Sequence, residues 1–94
     1  MDIKEVVLSK HVVSRIRSIP IHIVRKLQAW IDAIEHEGLI SVRKIPGYHD
    51  EPLKGSRKGQ RSIRLSQAYR AIYRISEHGD LEIVEVLDVN KHQY

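Results

Sequence analysis

Glu51, Lys54, Arg64, Arg70, His92 and Tyr94 are the residues of this chain whose types could share one reaction. A carboxylate or an imidazole can take the proton of a ribose 2′-hydroxyl. Cations can hold the charge that develops on the phosphoryl oxygens, and an acid can protonate the departing 5′-oxygen. The set suits metal-free cleavage of RNA. Glu51 or His92 can be the base, and His92 or Tyr94 the acid, each positioned group contributing roughly 10²- to 10⁴-fold. The plainer reading is that Glu51 only pairs with Lys54 and that a histidine so near the end of the chain is simply exposed.

The cations come in one run. The stretch "HDEPLKGSRKGQRSIRLSQAYRAIYRI", His49 to Ile75, opens on Asp50 and Glu51. It then holds Lys54, Arg57, Lys58, Arg61, Arg64, Arg70 and Arg74, with no further acid until Glu77. The chain carries a net +4, so its other nine cations are outnumbered by twelve acids and the basic excess lives in this segment. A local field of that sign suits phosphates or an acidic protein partner; the bland alternative is a solvated face kept basic for solubility.

Other motifs carry less. "KGSRKGQR" lacks the GxxxxGK[ST] pattern and precedes a strand where a phosphate loop needs a helix. The histidines at 11, 22, 36, 49, 78 and 92 form no HxxxH pair and have no cysteine beside them, so neither a metal site nor a cofactor is expected. Ser62 and Ser66 lack a nucleophile elbow or an orienting acid.

These residues need a scaffold, and 94 residues allow one domain, 1–94, with fold and site sharing the same elements. With 41% hydrophobic residues and no cysteine, its stability must come from packing. The longest apolar runs, "VVL" and "IHIV", cannot span a bilayer, and "MDIKEVV" lacks the basic and apolar regions of a secretory signal. A cytoplasmic location is the default expectation.

"IKEVVLS", Ile3 to Ser9, reads as a strand ending where Ser9 can cap a helix. Val12, Val13, Ile16 and Ile19 recur at helical spacing. After Pro20, Val24, Leu27, Ile31 and Ile34 form a stripe flanked by Ile23 and Trp30, and Gly38 can close that helix. A helical hairpin is expected over residues 9–37, followed by an irregular segment, "LISVRKIPGYHDEPLKGSRKG". Three strands follow, in "QRSIRL", "AYRAIYRI" and "DLEIVEVLDV", with a turn at Gly79. Alternation sets Arg64 and Arg70 on one open face. The order β-α-α-β-β-β predicts an α+β domain, two helices packed on one face of a small, mainly antiparallel sheet.

"LSKHVVSRIRSIP", "EPLKGSRKGQRSIRL", "YRAIYRI" and the terminal "NKHQY" together resemble the RelE/ParE superfamily of type II toxin–antitoxin toxins over nearly the whole chain. "PLKG", Gly59 and "YR.IY" resemble the superfamily at large, including ParE-like toxins that inhibit DNA gyrase without cutting RNA. Glu51 directly before "PLKG", with His92 and Tyr94, resembles the YoeB- and HigB-like ribonuclease branch. The resemblance implies a RelE-like fold and an mRNA endoribonuclease that works without a metal, usually on the ribosome. It also implies an antitoxin encoded next door that masks the site and carries the toxin to operator DNA. It assigns the base to Glu51, contact with the scissile phosphate to Arg70, and phosphate binding to Arg64 and Lys54. YoeB-like toxins end on adjacent histidine and tyrosine, whereas Gln93 separates His92 from Tyr94 here, so the acid stays open between them. Tyr69 or Tyr94 can stack on a base, while Arg57, Lys58 and Arg61 would steer the protein to RNA phosphates. The alternatives are a gyrase inhibitor, or a degenerate toxin that serves only as an antitoxin-binding corepressor.

Overall fold

The structure, a computed structural model, describes residues 2–91. Strand β1 (Val6–Leu8) ends at Ser9, whose hydroxyl accepts from the Val12 amide at 3.2 Å and so starts α1 (Lys10–Arg15). Only Val12 of the adjacent valines is buried; Val13 faces solvent. A 3-10 turn at Ile16–Ser18 and then Pro20 separate α1 from α2 (Ile21–Glu37), where a proline at the cap removes no helical hydrogen bond.

The buried side of α2 is Ile23, Leu27, Trp30 and Ile34, with Val24 and Ile31 only half-buried. The expected stripe is thus rotated toward Ile23 and Trp30. The indole packs on Tyr73 of the sheet, ring centroids 5.2 Å apart and planes tilted by 52°.

Gly38 ends α2 at φ +88, its amide bonded to the Ile34 carbonyl at 2.8 Å. The chain does not then stay irregular, as the sequence suggested, but starts again as α3 (Leu39–Arg43). The reason is remote. The Asp2 carboxylate accepts from the amides of Ile3 at 2.9 Å and Ile40 at 3.0 Å, satisfying a free N–H of the new helix, while Leu39 and Val42 go into the core.

The sheet has five strands in the order β1-β5-β4-β3-β2, with β2 Glu51–Pro52, β3 Arg61–Arg64, β4 Tyr69–His78 and β5 Leu81–Lys91. Only β1 runs parallel to its neighbour, pairing Val6 with Val84 and Leu8 with Val86; the other pairings are antiparallel. The two-residue β2 was not expected. It lies on an edge, where Pro52 lacks no partner. As expected, Gly79 turns β4 into β5 at φ +64, with His78 opposite Leu81.

One face of the sheet carries Ile63, Ala71, Tyr73, Val84, Val86 and Val89 into the core shared with α2 and α3. Alternation along β5 would not put both Val86 and Val89 inward. A bulge does: Tyr73 pairs with Val86 but Ile72 with Asp88, so Leu87 is the extra residue. Past the bulge, Val89 returns to the core while Asp88 and Asn90 come to the open face. Among the described residues no helix is long and apolar enough to cross a membrane.

Candidate active site

The acids of "HDE" part company. The Asp50 side chain, 1% exposed, accepts from Arg61 Nε at 2.6 Å and from the Tyr73 hydroxyl at 2.5 Å. Burial, then the Asp50 carboxylate, push the Tyr73 phenol well above its ordinary value, against an opposing pull from Arg43. Burial works against the Arg61 cation, yet the bond to Asp50 raises it overall. With Asp50 turned inward, its neighbours turn outward: His49 and Glu51 both stand exposed on the same side, Nε2 to Oε2 3.8 Å. His49 closes a 3-10 turn (Pro46–Tyr48) in the left-handed region, φ 49 and ψ 49.

Strand register assembles the rest. Glu51 lies opposite Ser62, Ser62 opposite Ile72 and Ile72 opposite Asp88; one rung further, Arg64 lies opposite Arg70 and Arg70 opposite Asn90. Side chains directly opposite share a face. Glu51, Arg64 and Arg70 accordingly line one cavity of about 130 Å³, floored by the buried Ser62 and also lined by His49 and by Tyr69, which packs against the core as well. Arg64 makes no hydrogen bond or ion pair among the described residues. Arg70 has one, from Nε to Asn90 Oδ1 at 3.3 Å.

Asn90 in turn donates to Asp88 at 2.9 Å, and Asp88 takes His11 and Arg15 of α1, each at 3.2 Å. Burial opposes ionisation of Asp88, but the Asn90 amide and then His11 outweigh it and hold the carboxyl below its usual range. Two cations stand side by side over a cavity with a carboxylate across from them. Such a surface can bind a phosphodiester between Arg64 and Arg70 while Glu51 faces the sugar.

The structure brings together Glu51, Arg64, Arg70 and Tyr69 and leaves the other expected residues apart. Lys54 and Lys58 are exposed outside the cavity, and Arg57 donates to Gln60 at 2.9 Å. Arg61, expected to steer phosphates, is held by Asp50. Glu51 has the His49 imidazole rather than the Lys54 ammonium within 4.0 Å among the described residues. His92 and Tyr94 lie outside the described residues. Ser66 is a turn residue, its hydroxyl accepting from the amides of Ala68 and Tyr69. Sequence reasoning missed His49, Asp50 and Asn90. An "in-out" division of three consecutive residues marks the first two, whereas Asn90 has no local signal because the bulge places it. Among the described residues, no group of three or more His, Asp or Glu is arranged to hold a metal ion.

No family model and no curated protein matches the sequence. Solved structures do match its shape. A YoeB/ParE toxin from Agrobacterium tumefaciens has 22% identity and a TM-score of 0.64, covering 95% of this chain and 99% of the other. YafQ from Escherichia coli has 17% identity and a TM-score of 0.65 (95% and 93% covered). The toxin–antitoxin complex RelBE2 of Mycobacterium tuberculosis matches with 20% identity and a TM-score of 0.58 (95% and 98%). Covered nearly end to end by all three, the chain has the fold of the RelE/ParE-like toxins.

Proposed function

We propose that this protein is the toxin of a type II toxin–antitoxin pair and acts as an mRNA endoribonuclease that needs no metal, working on the ribosome to stop translation. The observation that carries the reading is the single cavity joining Glu51 to Arg64 and Arg70. Glu51 takes the 2′-hydroxyl proton, Arg64 and Arg70 hold the phosphoryl oxygens, and Tyr69 offers its ring to a base. His92 or Tyr94 protonates the 5′-oxygen. Lys54 with Arg57 and Lys58 adds positive field beside the cavity, while Arg61 is committed to Asp50. The partner is an antitoxin that covers the cavity and alone contacts operator DNA, a reading supported by the fold shared with the RelBE2 complex.

Expression without antitoxin should arrest growth, and mapping of mRNA ends should reveal new 5′ termini on translated messages. Glu51→Gln and Arg70→Ala should each slow cleavage by roughly 10²-fold or more. Growth arrest with intact mRNA and double-strand DNA breaks would instead favour gyrase inhibition. Harmless expression would leave only the antitoxin-binding role.

A further inference from the structure

We propose that His49 is the positioning partner of Glu51, completing a carboxylate–imidazole pair on the attacking side of the reaction; this rests on the ribonuclease reading above. Three independent observations carry it. His49 is the one non-glycine residue with positive φ among the described residues, a conformation that L side chains adopt at a cost and that clusters at functional sites. Its neighbour Asp50 is locked to Arg61 and Tyr73, so the backbone between His49 and Glu51 has a fixed anchor. It lines the same cavity as Glu51, Arg64 and Arg70, with its Nε2 3.8 Å from Glu51 Oε2.

The distance also decides which side of the phosphorus His49 serves. In an in-line displacement the 2′-oxygen enters opposite the departing 5′-oxygen, and base and acid each sit about 3 Å beyond their own oxygen. Groups flanking the two oxygens must therefore be much further apart than 3.8 Å. At the separation seen here His49 and Glu51 both belong to the attacking side. Glu51 takes the 2′-hydroxyl proton as the O2′–P bond forms. An acid on the far side gives a proton to O5′ as the P–O5′ bond breaks, leaving a 2′,3′-cyclic phosphate and a 5′-hydroxyl. His49 donates a hydrogen bond from Nε2 that orients the carboxylate, and Glu51, itself exposed, gives the captured proton to solvent. The charged residues that share a cavity lining with it are Glu51, Arg64, Arg70, Arg43 and Lys44, together with Asp50, whose carboxylate is turned inward.

The test exploits the backbone. Glycine adopts φ 49 freely, so His49→Gly removes the imidazole without disturbing the turn. In single-turnover cleavage on programmed ribosomes, His49→Gly should be slowed roughly tenfold, a common size for groups acting through one another. It should keep the wild-type melting temperature and lose one ionisation from its pH–rate profile. In the Glu51→Gln background the same change should cost nothing further. Additive losses, or a His49→Gly rate and profile equal to wild type while Glu51→Gln is impaired, overturn the role of His49 and leave the ribonuclease reading intact. Wild-type protein that leaves mRNA uncut overturns both.

Discussion

Asp50 immediately precedes β2 and Arg64 ends β3, yet the fold treats them in opposite ways. Asp50 is buried with a donor on each oxygen, so removing the Tyr73 hydroxyl leaves one desolvated carboxylate oxygen without a partner. Tyr73→Phe should cost about 1–3 kcal/mol, seen as a lower denaturant midpoint at constant slope. Because the folded Tyr73 phenol is raised, its contribution is full below the unfolded value of about 10 and is lost as pH rises toward the higher folded one. Ultraviolet titration should thus contain a late phenolate phase coincident with alkaline unfolding, absent from Tyr73→Phe. Arg64 has the reverse character. It faces Arg70 directly and makes no ion pair among the described residues, and like charges so paired are destabilising. Arg64→Ser should gain about 0.2–1 kcal/mol at low salt while losing RNA cleavage. Sulfate should raise the melting temperature of the wild type more than that of the variant; an equal response would sink the idea that this pair waits for an anion.

At the scale of elements, the Gly38 junction shows how far a local signal reaches. A side chain at Gly38 would both hold φ +88 against its preference and overlap the Asp2 carboxylate that caps α3. Gly38→Ala should cost about 1–3 kcal/mol. Adding Asp2→Ala should recover only part of it, since the overlap goes but the strained φ stays and the α3 cap is lost; full recovery would mean that neither the backbone conformation nor the cap is a constraint. The sequence made Gly38 legible as a stop but not α3 as a restart, because the cap comes from the other end of the chain. Ser9, Gly79 and the strands of the hairpin were legible because each is decided within a few residues. Within the site the division is the same. Glu51 beside "PLKG", and Arg64 and Arg70 on one face, follow from composition and alternation. Asn90 beside Arg70 requires the bulge at Leu87, and the outward pair of His49 and Glu51 requires knowing that Tyr73 claims Asp50. The rotated stripe of α2 has a similar cause: periodicity marks an apolar side, but Trp30 meeting Tyr73 sets its centre.

The whole molecule is a small basic body whose excess charge sits on the strands and turns that form the cavity, with α1 tied to the far side of the sheet through Asp88. Some of those cations have a fixed task. Arg61 answers Asp50 and Arg74 answers Glu85 at 3.0 Å, whereas Lys58 is exposed with no ion pair among the described residues and Arg57 meets only neutral Gln60. Lys58 and Arg57 should therefore act on encounter rather than on chemistry. For single-stranded RNA, each neutralised phosphate adds about 0.7 to the slope of log affinity against log salt. Arg57→Ala with Lys58→Ala should lower that slope by about 0.7 for each cation that meets a phosphate. Association at low salt should slow, and the single-turnover rate at saturating RNA should hold. Titrations of a 2′-deoxy-substituted, uncleavable RNA across salt concentrations separate the two effects. An unchanged slope would return these two cations to plain solvated surface, whereas a fall in the saturated rate would place them inside the chemistry.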